Sequence, residues 1–92
     1  MTLTEQNLNR TSVKIYGQLY QMVGVESVAH MKNVAVIVDE QMQTIRKANP
    51  SLDTTKLAVL TAVNAVNDAV KLAAKIERLE QQLQTLKDDA ND

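Results

Sequence analysis

From Asp53 onward the chain has no Gly and no Pro, and small or apolar residues return with a heptad period almost to its end. In one register the a and d positions are Thr55, Ala58, Ala62, Ala65, Ala69, Leu72, Ile76, Leu79, Leu83 and Leu86. That spacing predicts a helix over about 54–87, with Asp53 as N-cap and Ser51 as the alternative. The seam is small in its first half and large in its second. Ala lets helix backbones approach closely, while Leu and Ile fill an ordinary coiled-coil interface. A single helix cannot bury such a seam, so the pattern predicts self-association through Ala58, Ala62, Ala65, Ala69, Leu72, Ile76, Leu79, Leu83 and Leu86. A second apolar row, Val59, Val63, Val66 and Val70, predicts burial on two sides, against the chain's own head and against a partner. After Leu72 only the seam stays apolar, so the helix changes there from core element to coiled-coil tail. With Ile76 at a, Lys75 falls at g and Glu80 at the next e, a mild preference for a parallel pair.

Upstream the period is different. Val13 to Val23 alternates as a β-hairpin around Gly17-Gln18, and Gly at the first central position suits a type II′ turn. That turn would pair Ile15 with Tyr20 and Val13 with Met22 on a buried face, leaving Lys14, Tyr16, Leu19 and Gln21 on the other. A lone hairpin is marginal in water, so it must lie on a helix or join a larger sheet. Gly24 ends it. A helix then runs from about Glu26 or Ser27 to Ala48, with the stripe Val28, Met31, Ala35, Val38, Met42 and Ile45, widened by Val34 and Ile37. Asn49-Pro50 stops it. The fold class is α+β: a hairpin and a helix form a small head (residues 13–71), and the long C-terminal helix extends into a coiled-coil tail (residues 72–92). Residues 1–12 read as a flexible arm.

Composition narrows the function more than it names it. The chain has 92 residues, a formal net charge of −1 and no Cys. With 10 basic and 11 acidic residues and no basic run, it lacks the patch that nucleic acid binding needs. Without Cys there is neither a disulfide framework nor a thiolate metal site. No secretory h-region opens the chain and no stretch reads as the roughly 18 apolar residues of a membrane span. These features lead to an expectation of a cytoplasmic protein without cofactor, and Asn9-Arg10-Thr11 reads as an accidental match to a glycosylation acceptor. Tyr16 and Tyr20 are the only aromatics, so Met22, Met31 and Met42 read as gap-fillers in an aliphatic core.

No residue set points to catalysis. His30 has Glu26 one turn before it, but a metal needs three or four ligands and no others converge. Asp39-Glu40 are helix neighbours that do not face each other, and read as a solvated flank. Nothing resembles a nucleophile elbow or a phosphate loop. The candidates that remain are for protein contact. Gln18 and Gln21, with Lys14 and Tyr16 nearby, form the turn and outward edge of the hairpin. Leu60, beside Lys56 at the start of the long helix, would make a small apolar anchor of the kind interfaces use. Asn64 continues that outward row. Leu57 and Leu60 both have two readings, packing beneath the end of the first helix or outward exposure.

The segments Val13-Lys14-Ile15-Tyr16-Gly17-Gln18-Leu19-Tyr20 and Leu52 to Asn67, with the run Leu57 to Asn64 the most specific, resemble the bacterial cell division protein ZapA family in its short form. Val38-Asp39-Glu40-Gln41-Met42 and Asn49-Pro50 match it too. The resemblance covers about residues 13–75. It implies a non-enzymatic regulator of FtsZ, the tubulin-like GTPase of the division ring, acting at midcell by cross-linking or bundling FtsZ polymers. It also implies a small α/β head with a coiled-coil tail, dimerising heads and, in longer members, dimers that pair through antiparallel tails. Some relatives carry arginines, implicated in FtsZ binding, at the positions of Gln18 and Gln21, so Lys14 and Lys56 become the basic candidates here. The tail is short, which leaves a homodimer and a dimer of dimers both open. The other readings of the sequence are a coiled-coil adaptor for a different protein and a small nucleic-acid-binding dimer.

Overall fold

In the computed structural model, which describes residues 7–90, two strands precede two helices. Strand β1 is Asn9–Ile15, β2 is Gln18–Gly24, α1 is Val28–Ala48 and α2 is Thr54–Ala90. The strands form a two-stranded antiparallel sheet. This is the α+β architecture expected, with its second helix longer than its first.

The hairpin differs from expectation at its turn. Ile15 pairs with Gln18, Val13 with Tyr20 and Thr11 with Met22, so the loop is Tyr16-Gly17 rather than Gly17-Gln18. Both loop residues have positive φ, 49° for Tyr16 and 81° for Gly17. Two positive φ values make the type I′ turn, whose twist matches that of the flanking strands. Gly17 takes this conformation without a Cβ penalty, whereas Tyr16 is strained in it. The register moves by two in the sum of paired numbers, so the face assignment survives for the strand residues, while Tyr16, expected on the outward face, becomes a loop residue bonded to α1. Val13 is buried, Ile15 and Met22 are half-buried, and Tyr20 on the same face stays exposed. Strand β1 also starts earlier than Val13. Asn9 to Ser12 pair with Gly24 to Gln21, so residues 9–12, expected within the flexible arm, belong to the sheet. Residues 1–6 of that arm lie outside the described residues. Asn9 ties this end down, its Nδ2 donating to the Glu26 carbonyl at 2.7 Å.

Helix α1 begins where the sequence places it. The Ser27 hydroxyl accepts the His30 N–H at 3.0 Å, an N-cap bond that satisfies one orphan donor. Met31, Ala35 and Met42 of its stripe are buried, and Val28, Val38 and Ile45 are half-buried. This face lies against β1 and supplies most of the core. At the other end Asn49 caps the helix, its backbone N–H reaching the carbonyls of Ile45 and Arg46 at 3.0 and 3.1 Å. Arg46 and Lys47 in the last turn complement the helix dipole.

Helix α2 starts behind Asp53, whose Oδ1 accepts the Lys56 N–H at 2.8 Å. It runs unbroken to Ala90, past the expected end near Lys87. Its buried residues are Leu57 and Thr61, and Leu57 retains no exposed surface at all. The Thr61 hydroxyl donates to the Leu57 carbonyl at 2.8 Å, so its polar group is satisfied where it is buried. This corrects the reading of the Val row. Val59, Val63, Val66 and Val70 are all exposed, and the side of the helix turned to the chain's own core is the Leu57/Thr61 side. The outward reading of Leu57 falls with it. Packing divides the chain into a unit ending at Thr61 and another beginning at Ala62. From Ala62 to Ala90 every side chain is exposed.

Two substitutions test these anchors. Leu57→Ala should lower the unfolding free energy by about 2–5 kcal/mol, the usual range for emptying a fully buried Leu site. Gly17→Ala meets open space but must keep φ near 81°, and should cost about 1–2 kcal/mol. Urea unfolding at one fixed protein concentration reads both. A midpoint for Leu57→Ala equal to that of the parent would contradict the core assigned here.

Candidate functional site

The protein-contact residues expected from sequence do not gather at one point. Lys14 and Gln21 lie on the open face of the hairpin, and Lys14 also borders a hollow with Ser12, Val13 and the α1 residues Lys32, Ala35 and Val36. On the open face Ser12 faces Gln21 and Lys14 faces Leu19 across the strands. The Gln21 Nε2 donates to the Ser12 Oγ at 2.7 Å, which fixes that amide flat along the sheet. Tyr16 and Gln18 instead line a hollow of about 220 Å³ with Ile15, Tyr20, Val38, Met42, Thr54 and Ala58. Lys56 and Leu60 line a separate apolar depression at the start of α2, with Leu52, Thr55 and Val59. Asn64 sits one turn past Leu60 on the same helix, exposed, in the unit that begins at Ala62.

Tyr16 is held more firmly than its surface position suggested. Its backbone N–H donates to Asp39 Oδ1 at 2.6 Å, and its hydroxyl accepts from Arg46 Nη1 at 2.8 Å. Asp39 and Arg46 are seven residues apart, so both project from one side of α1. The reading of Asp39 as a solvated flank is therefore corrected: it is half-buried and holds the turn. Sequence reasoning missed this role because the bond partner is a backbone group, which leaves no residue-type signature. A one-residue error in the turn also hid that Tyr16 is a loop residue.

The expected self-association positions share one property. Ala58, Ala62, Ala65, Ala69, Leu72, Ile76, Leu79, Leu83 and Leu86 are all exposed in the single chain. In the first half of α2 the Val row at positions b and e adjoins the Ala seam at a and d. Together they make one broad apolar face rather than two. Thr61, Asn64, Asn67, Asp68 and Lys71 occupy the opposite side, at c, f and g. By length and composition alone α2 could cross a membrane, which corrects the expectation that no segment would qualify. Its polar side argues for a different cover. A helix surrounded by lipid is apolar all round, and Asp or Lys at its centre costs about 2.5–3.5 kcal/mol each. A one-sided face fits a protein partner.

Among the described residues no group of three or more His, Cys, Asp or Glu could hold a metal ion. What the arrangement offers is contact surface: an apolar helix face, an apolar depression at the helix start and a latched hairpin.

Comparison with known proteins agrees with this picture. The family model described as "Cell division protein ZapA" matches residues 11–92. The cell division protein ZapA of Geobacillus sp. (strain WCH70) is 49% identical over 87 residues, covering 95% of this chain and 100% of that one. That of Bacillus subtilis (strain 168) is 54% identical over 81 residues, covering 88% and 95% respectively. Among solved structures, a ZapA mutant dimer from Geobacillus stearothermophilus superimposes with a TM-score of 0.71 at 46% identity, over 91% of this chain and 98% of that one. With the hairpin, the two helices and nearly the whole length matched, this chain belongs to the ZapA family of cell division proteins.

Proposed function

We propose that the chain is a non-enzymatic regulator of division that self-associates through α2 and cross-links FtsZ polymers at the midcell ring. One observation carries the proposal: α2 is 37 residues long, and its heptad seam is exposed throughout among the described residues. A second copy supplies cover of matching chemistry, since an Ala-then-Leu seam is complementary to itself. The relative of known structure is described as a dimer, which supports the same occupant. Two copies on one seam present two heads, and two weak contacts on one particle bind a polymer far more tightly than either alone. The residues assigned to FtsZ contact are Lys14, Tyr16, Gln18 and Gln21 on the hairpin and Lys56, Leu60 and Asn64 along α2. Nucleic acid, membrane and cofactor have no part in this reading, and a cytoplasmic location follows from the partner.

Two outcomes are expected. With FtsZ and GTP, the chain should move into the pellet and increase the bundled fraction in cosedimentation. Polymer that pellets equally with and without it would refute the role, and a consistent pull-down of a different protein would replace it with the adaptor reading. Separately, Ile76→Asp with Leu83→Asp should lower the mass measured by light scattering at micromolar protein while helical and strand signals persist. An unchanged mass would show that the seam does not join the copies.

A further inference from the structure

The inner face of the hairpin is only partly covered. Val13 and Tyr20 are a direct cross-strand pair and share that face. Val13 is buried, yet Tyr20 is 51% exposed. The hollow of about 220 Å³ described above adjoins Tyr20, with Val38 and Met42 of α1 and Thr54 and Ala58 of α2 in its lining. Ala58 also belongs to the heptad seam. A copy laid along the seam at Ala58 therefore reaches the hollow, and the two surfaces are continuous. An aromatic side chain on an inner face, left open by its own helix and next to such a seam, is placed for cover by that copy.

One wall of the hollow is Tyr16, and it is strained and clamped. Its φ is 49°, where Asn, Asp or Gly is the ordinary choice. It persists there because Asp39 Oδ1 accepts its N–H and Arg46 Nη1 donates to its hydroxyl. With both polar ends engaged by α1, the apolar ring is what Tyr16 has left for contact. Strain that the surroundings over-determine is a mark of a site where geometry matters. A wall fixed before association loses less freedom on pairing than a mobile turn would.

We propose that Asp39 and Arg46 are positioning residues for self-association: through Tyr16 they hold the wall of this hollow in the shape that a second copy fills. This rests on the reading of the chain as one that self-associates through α2, and it names residues outside α2 on which pairing depends. No charged side chain lines the hollow, and Ile15, Val38, Met42 and Ala58 make it largely apolar. Apolar side chains of the second copy fit such a lining. Lys14 and Gln21, on the opposite face of the hairpin, stay free for the polymer. Tyr16 and Gln18 bear on polymer binding through the paired state.

The test uses the full-length chain, with the self-association constant taken from sedimentation equilibrium over a concentration series. Asp39→Leu should weaken pairing by about tenfold, the size of a moderate interface residue. Asp39→Asn, whose amide oxygen still accepts the Tyr16 N–H, should restore pairing to within about twofold of the parent. Tyr16→Phe keeps the ring and loses only the acceptor for Arg46, and should cost about threefold, the size of one exposed hydrogen bond. The chain has no Cys, so Tyr20→Cys gives a single reporter beside the hollow. Its thiol should react with a maleimide about tenfold more slowly at concentrations where that variant sediments as a pair than where it sediments singly. If the parent is a single chain at every concentration, the self-association reading itself fails. If Tyr20→Cys pairs and its thiol reacts equally fast in both states, the second copy does not fill the hollow. If the thiol is protected but Asp39→Leu pairs like the parent, or Asp39→Asn fails to rescue it, the positioning role is wrong.

Discussion

The structure depends on one missing contact. Helix α2 buries Leu57 and Thr61 against its own chain and leaves the rest of its apolar face in water. Ordinary surface helices hide their apolar stripe within the fold and show a polar back. Here the stripe widens where Ala and Val adjoin, and it is exposed among the described residues. Isolated apolar residues on a surface need no explanation, but a continuous face on one helix does. Burial of such a face is the largest favourable term open to a chain of this size.

The head solves a smaller version of the same problem internally. A two-stranded hairpin is not stable alone, and it is made so by packing β1 on α1, where Val13, Met31, Ala35 and Met42 are buried. The contact that sets its angle is polar. Asp39 and Arg46 reach from α1 to the two ends of one residue, the Tyr16 amide and the Tyr16 hydroxyl. Apolar packing is non-directional and tolerates sliding, whereas two hydrogen bonds from fixed helix positions do not. The strained turn is therefore located by α1 rather than by its own residue preferences.

How far the sequence could be read follows from which signals are periodic. Both helices, the Ser27 and Asp53 caps and the stop at Asn49-Pro50 were legible, because helix period and cap chemistry are written in residue types. The hairpin was legible as a hairpin, and the faces of its strand residues were assigned correctly, since a shift that preserves parity preserves sidedness; Tyr16, expected on the outward face, is instead held to α1. The turn was not legible. Tyr at a positive-φ position contradicts local preference, and only Asp39 and Arg46, more than 20 residues away, make it tenable. The Val row misled for a related reason: periodicity shows that a face is apolar, not what covers it. Leu57 lies off the heptad seam, yet it is the side chain the head buries most completely. Among the contact candidates, the shared outward face of Lys14 and Gln21 was legible from hairpin position alone, whereas Gln18, read as part of that edge, pairs with Ile15 on the other face. The sequence placed Leu19 on the face of Lys14 and Gln21 but gave no sign of how openly it stands there.

The division of α2 at Thr61 has a consequence for how the protein behaves in the cell. A fold completed by a second copy obeys mass action, so its resistance to unfolding rises with its own abundance. Dilution would uncover the segment after Thr61 first, because from Ala62 to Ala90 every side chain is exposed in the described chain. Surplus or newly made single copies would then offer proteases and chaperones a long unprotected helix. Turnover would thus fall on unpaired chains and spare assembled ones, tying the amount of usable protein to the amount that has found a mate.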